Sequence, residues 1–118
     1  MEINNMLCVD DESSWRRIFQ RHFQKYLTPN VDLAENYASG LEKIKQTRYD
    51  LIVLDSLEGE CFRIHDDIQN IPHGDVIIFS GNVLIEAEAR RRGIPFYSKS
   101  KATECLDKIV AQYKPAAE

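Results

Sequence analysis

With 118 residues, 43% of them hydrophobic and 29% charged, the chain has the size and balance of one compact globular domain, not of a fibrous, disordered or disulfide-built protein. Its formal net charge of −4 removes the electrostatic drive toward DNA or RNA backbones, so no direct nucleic-acid role is expected. Cys8, Cys61 and Cys105 are an odd number without CxxC spacing and read as buried reduced thiols; with no membrane-length apolar run, no basic leader and no small-residue cleavage site, the expected location is cytoplasmic.

Asn5 to Val9 is a short apolar run that ends at Asp10-Asp11, and Trp15, Ile18, Phe19, Phe23 and Tyr26 then recur at helical spacing. Strand followed by helix is the expectation. Thr28-Pro29-Asn30 breaks that helix, Val31 to Ala34 reads as a second strand, and Ala38, Leu41 and Ile44 line a second helix. Leu51-Ile52-Val53-Leu54 is a continuous aliphatic run ending at Asp55, the pattern of a central parallel strand covered on both faces. A third helix is expected over Glu60 to Gln69 with Cys61, Ile64 and Ile68 inward, then a strand from Val76 to Phe79 closed by Ser80-Gly81. A weakly amphipathic fourth helix from about Leu84 to Arg92 stops at Gly93, and Ile94 to Tyr97 forms a short fifth strand. The fifth helix turns Ala102, Cys105, Leu106, Ile109 and Val110 inward, and Lys114 to Glu118 is expected to trail off as a tail.

Five strands alternating with five helices give an α/β domain over residues 1–118, its core about 3–113: one doubly wound, five-stranded parallel sheet with helices on both faces. The expected strand order is the flavodoxin-like 2-1-3-4-5, with function at the carboxyl ends of the strands. Those ends carry Asp10 and Asp11, Asp55, Ser80 and, just after the fifth strand, Lys99. Carboxylates about 5 Å apart repel by roughly 3 kcal/mol per pair at an effective dielectric of 20, so a cation is favoured. Oxygen donors select Mg²⁺ or Mn²⁺. A carboxylate beside such an ion can attack phosphorus while a lysine and a hydroxyl steady the transferring oxygens.

Val9-Asp10-Asp11-Glu12, Leu54-Asp55, Ser80-Gly81 and Lys99, in that order and at those strand ends, resemble the response-regulator receiver family of two-component signalling across residues 3 to 113. The resemblance implies Asp55 as phosphoacceptor, Asp10 and Asp11 as the metal-binding pair with Asp55 and the Leu57 backbone carbonyl, Lys99 on the phosphoryl oxygens, and Ser80 and Phe96 as the switch pair. It also implies a histidine kinase or phosphotransfer protein as phosphodonor, a downstream protein partner, and a signalling domain that assists only its own phosphorylation and dephosphorylation.

The sequence departs from that family in four places. Asp55-Ser56-Leu57-Glu58-Gly59 lacks the usual proline. The third and fourth helical segments look short, the fourth by about one turn. Ser100 stands where proline usually follows the lysine, which leaves Lys101 as an alternative to Lys99, and Tyr97 adjoins Phe96 but faces the other way along a strand. A degenerate receiver that binds a partner without phosphorylation is therefore an alternative. A haloacid-dehalogenase-like phosphatase ranks lower, because its nucleophile normally ends the first strand in an Asp-x-Asp pattern.

Other features read as ordinary structure. Trp15, Phe19 and Phe23 are expected in the core. His22, His65 and His73 share no ligand spacing, and Asp66 and Asp67 sit on a helix with no cation in view. Arg90-Arg91-Arg92 could dock an acidic partner or a second copy in a homodimer, although a charge run at a helix end is usually solvated.

Overall fold

A computed structural model describes residues 2–114. The chain runs β1 (Met6–Val9), α1 (Ser13–Tyr26), β2 (Val31–Ala34), α2 (Tyr37–Gln46), β3 (Leu51–Leu54), α3 (Glu60–Asp67), β4 (Asp75–Ser80), α4 (Glu86–Arg91), β5 (Phe96–Ser98) and α5 (Ala102–Tyr113). The five strands form one parallel sheet in the order 2-1-3-4-5. All but the first residue of the expected tail lies outside the described residues.

Strand alternation divides the core into two layers. Met6, Cys8, Leu51, Val53, Ile77 and Phe79 face α1 and α5, where Phe19, Phe23, Leu106 and Ile109 meet them. Leu7, Val9, Ile52, Leu54 and Ile78 face the other way, against Ile44 of α2, Cys61 and Ile64 of α3 and Ala89 of α4. All three cysteines are buried and free, as burial among apolar neighbours requires.

Several expectations need correction. On α1, Phe19 and Phe23 are fully buried, but Ile18 is 41% and Tyr26 43% exposed, because the helix turns one narrow stripe to the sheet. Trp15 is half-buried and packs against the same core, as expected. On α2 the inward residue of the first turn is Gly40, not Ala38: a Cβ at Gly40 would come within 3.1 Å of Val9, so helix and strand touch at that point, and Ala38 faces solvent. That helix starts at a capping box in which Asn36 accepts from the Ser39 N–H and Ser39 answers to the Asn36 backbone.

The third and fourth helices are short, for identifiable reasons. A 3-10 turn over Leu57–Gly59 precedes α3, which starts at Glu60 as expected but ends at Asp67, short of Gln69. Leu57 and Glu58 both adopt the left-handed region, at φ 50° and 55°, which a right-handed helix cannot absorb. The fourth segment splits into a 3-10 turn (Val83–Ile85) and the six-residue α4, whose end is fixed by Gly93 at φ 74°. β4 is longer than expected, reaching Asp75 and Ser80, and β5 starts at Phe96, two residues late. Ile94 returns its N–H to Ala89 and Pro95 has no N–H to give, so pairing waits for Phe96.

The arginine run divides its labour. Arg90 and Arg91 pair with Glu86 and Glu88 on their own helix, whereas Arg92 crosses to α3 and donates to Asp66 at 2.7 Å. Asp66 thus has a cationic partner, contrary to expectation, and Asp67 accepts from the Tyr37 hydroxyl.

Candidate functional site

Register brings the acidic residues together. Val9 pairs with Leu54 across β1 and β3, so the next residues, Asp10 and Asp55, leave the sheet side by side, locked by Asp55 N–H donating to Val9 O at 2.8 Å and Asp10 N–H to Ala34 O at 3.0 Å. Asp11 follows on the exposed side, and oxygens of Asp10, Asp11 and Asp55 lie within 4.8 Å of one another. Arg16, one turn into α1, donates to the Asp10 carbonyl at 2.8 Å and holds the chain where it leaves β1.

On the far side, Ser80 pairs with Ser98 at the end of β4 and β5, so Lys99 emerges beside the cluster. Its Nζ lies 2.7 Å from Asp10 Oδ2 and 2.8 Å from Asp55 Oδ1, and its side chain is only 10% exposed. Lys101 is exposed and makes no ion pair with these acids, so of the two lysines it is Lys99 that reaches them. No peptide bond among the described residues is cis; instead Ser98 Oγ accepts the Ser100 N–H at 3.2 Å and caps a 3-10 turn over Lys99–Lys101.

One ammonium cannot satisfy this site. Burial pushes the Asp10 carboxyl above its ordinary range, and neither Lys99 nor the Glu12 N–H at 2.9 Å offsets that, while the charge of Asp55 adds to it. Burial disfavours the charge on Lys99 too, but the attraction of Asp10 and Asp55 outweighs it, so the lysine stays firmly protonated. Asp10 Oδ2, fully buried, meets Lys99 as an ion pair but off the hydrogen-bonding direction, leaving lone-pair capacity unused. Hard carboxylate oxygens at this spacing, one of them incompletely satisfied, fit Mg²⁺ or Mn²⁺.

The remaining expected residues surround this centre. Leu57 follows Asp55 closely; its N–H donates to Asp55 Oδ2 at 3.2 Å, while its carbonyl accepts from the Glu60 N–H and so offers one remaining lone pair. Ser80 is buried at the end of β4, its Oγ accepting the Asn82 N–H at 2.9 Å. Phe96 packs half-buried with the α2, α3 and α4 layer, and Tyr97 with the opposite one, as strand alternation requires. An open cleft of about 240 Å³ adjoins the acids, lined by Asp11, Glu35, Asn36, Tyr37, Leu57, Glu58 and Glu60.

Two neighbours were not singled out for the site from sequence. Arg16 could have been noticed as a cation one turn from the acidic pair. Trp15 packs against the core as expected, beside Phe19 and Phe79, and its ring centroid also lies 4.9 Å from Lys99 Nζ. Its position one turn beyond Asp11 was the only available sign.

The architecture is that of CheY-like response-regulator receiver domains. Over 94% of this chain and 98% of the other, it superposes on a CheY-like receiver domain from Methylobacillus flagellatus with a TM-score of 0.76 at 15% identity. NtrX from Brucella abortus, solved in complex with ADP, aligns with a TM-score of 0.78 at 26% identity, covering 95% of this chain and 26% of that one. The response regulator TrrA from Thermotoga maritima, solved in complex with Mg²⁺ and BeF, aligns at 0.69 with 22% identity over 92% of this chain and 97% of the other. No protein-family model and no curated protein matches the sequence.

Proposed function

We propose that this chain is a phosphorylatable receiver of a two-component phosphorelay, accepting a phosphoryl group on Asp55. The observation that carries the reading is the position of Lys99, its ammonium 2.8 Å from Asp55 and 2.7 Å from Asp10, with Asp11 completing an oxygen cluster within 4.8 Å. A degenerate binding module has no need to bury a lysine among three acids, and the assembled set supports the active alternative.

In this reading a carboxylate oxygen of Asp55 attacks phosphorus as the bond to the donor breaks, and the leaving group departs on the opposite side. For a histidine kinase or phosphotransfer protein the leaving group is the histidine ring, which takes up a proton on the released nitrogen and so departs as neutral imidazole. Lys99 steadies the phosphoryl oxygens, and the Asp55 backbone, tied to β1, holds the nucleophile in place. Asp10, Asp11, Asp55 and the Leu57 carbonyl would hold Mg²⁺ or Mn²⁺, which supplies charge neutralisation when bound. Ser80 and Phe96 then act as the switch: the hydroxyl turns to the new oxygens, Phe96 reorients, and the face made by α4, β5 and α5 changes for a downstream partner. The domain signals and does not turn over substrate, and its setting is the cytoplasm.

The test is intact mass after treatment with acetyl phosphate and Mg²⁺. Wild type should gain one phosphoryl mass and Asp55→Asn none; a gain in Asp55→Asn would move the acceptor elsewhere. Amide exchange with and without a beryllofluoride mimic tests the switch, with altered protection expected across residues 80–110.

A further inference from the structure

We propose that Trp15 is a positioning residue for Lys99, its indole face holding the ammonium at the mouth of the acidic cluster; the claim rests on the receiver reading above. The lysine needs such a hold. A lysine side chain has many rotamers, and the turn that presents it is a single 3-10 turn capped only by Ser98. From below, the stem of Lys99 has little to rest on: Gly81 has no side chain, and a Cβ there would only reach ordinary contact with Lys99 Cβ and Cδ at 3.9 Å.

Trp15 supplies the other wall. Lys99 Nζ lies 4.9 Å from the centroid of its ring, within the range in which the negative face of an indole attracts a cation, and tryptophan is the best side chain for that contact. The ring is itself immobilised, with Phe19 at 5.7 Å and Phe79 of β4 at 5.9 Å, centroid to centroid. The attraction is not dissipated in water, because the lysine side chain is only 10% exposed.

This hold differs in kind from the two carboxylates. Any cation held by Asp10 and Asp55 weakens their attraction for the ammonium, and conversion of the Asp55 carboxylate to an acyl phosphate removes that carboxylate's own charge. The indole's attraction does not depend on their charge. Trp15 therefore keeps Lys99 near Asp55 at the stage when the carboxylates release it and the phosphoryl oxygens need it.

The experiment uses the full chain, acetyl phosphate and Mg²⁺, with the rate of phosphoryl gain read by intact mass. Trp15→Leu should slow transfer by about tenfold, of the order expected from a partly desolvated cation–π contact. Trp15→Phe, which keeps an aromatic face, should recover most of the rate. In a Lys99→Ala background, Trp15→Leu should cost less than about twofold further, because the contact is already gone. Equal losses in both backgrounds, or no recovery with phenylalanine, would mean that Trp15 only supports the fold and would overturn the proposal. A wild-type chain that gains no phosphoryl mass would sink the receiver reading instead. The positioning claim would then be decided by proton NMR: the Lys99 ε-methylene protons should be displaced upfield in wild type and return to their ordinary position in Trp15→Leu, and undisplaced wild-type protons would refute it.

Discussion

Two aspartates at opposite ends of one sheet show how differently this fold treats the same residue. Asp50, just before β3 at the amino end, accepts from the Asn4 N–H at 2.9 Å, the Asn5 N–H at 3.3 Å and Arg48 at 2.6 Å. Burial opposes its charge, yet those partners prevail and hold its carboxyl below the ordinary range. Asp10, just after β1 at the carboxyl end, is fully buried with one backbone donor and a lysine shared with Asp55, and its carboxyl is pushed up. The amino end uses charge to staple the chain; the carboxyl end concentrates charge and leaves it incompletely satisfied, as a site that gains its missing partner from a ligand should.

The largest effect that tests this contrast is on Lys99. Lys99→Ala should slow phosphoryl gain by about 10², the worth of a single preorganised donor, whereas Lys101→Ala should react normally because Lys101 points to solvent. The opposite ranking would assign the site's lysine two residues later.

How far that ranking could be read from sequence depends on what fixes each element. β3 was legible because a strand covered on both faces leaves an unbroken Leu51–Leu54 run. The sheet order and the meeting of Asp10 with Asp55 followed from alternation of strands and helices. β5 was misplaced because Ile94 is apolar enough to pass for a strand residue, while the loss of a donor at Pro95 is a matter of pairing that hydropathy does not register. α4 was overestimated because Leu84 and Ile85 are apolar enough to pass for helix residues but belong to a 3-10 turn, with Leu84 85% exposed. The contact of Trp15 with Lys99 was illegible: it joins α1 to the end of β5, and no local pattern encodes which of two lysines two residues apart bends inward.

At the amino end, Asp50→Ala should destabilise the fold by about 2 kcal/mol, since it leaves the Asn5 N–H, partly buried, and Arg48 without their acceptor. The pH dependence has a definite sign. A carboxylate with a lowered folded-state pKa stabilises fully above its unfolded value near 3.9 and loses that contribution as pH falls through the folded value. Urea unfolding of wild type and Asp50→Ala should therefore converge on acidification; a gap that widens would remove the staple from the account.

The carboxyl end should respond in the opposite direction. Asp10→Asn removes a charge that the fold disfavours, so in metal-free buffer it should raise stability by about 1 kcal/mol. The same change should abolish the response of Trp15 fluorescence to millimolar Mg²⁺, which wild type should show. If Asp10→Asn is destabilising and retains the Mg²⁺ response, the two ends are not built on different principles.

The smallest effect concerns Arg92, which extends the amino-end pattern to the helices. α4 runs opposite to the strands, so Arg92 at its end lies on the same pole as Asp50, where it joins Glu88 at 2.6 Å to Asp66 at 2.7 Å and lies over the Phe62 ring of α3 at 4.9 Å. A six-residue helix has almost no stability of its own, and Arg92 supplies charged ties between it and α3. Asp66 is well exposed, so the ion pairs are discounted by water and the loss on Arg92→Ala should be only about 0.5–1 kcal/mol. It should be local as well as small: amide exchange should quicken in residues 83–92, while the phosphoryl gain of Asp55 and the Mg²⁺ response remain as in wild type, because no group at the acidic cluster touches Arg92. Unchanged exchange in that segment would show that the apolar contacts of Ala89 and Ile85 suffice to seat α4 and that the arginine tie is incidental.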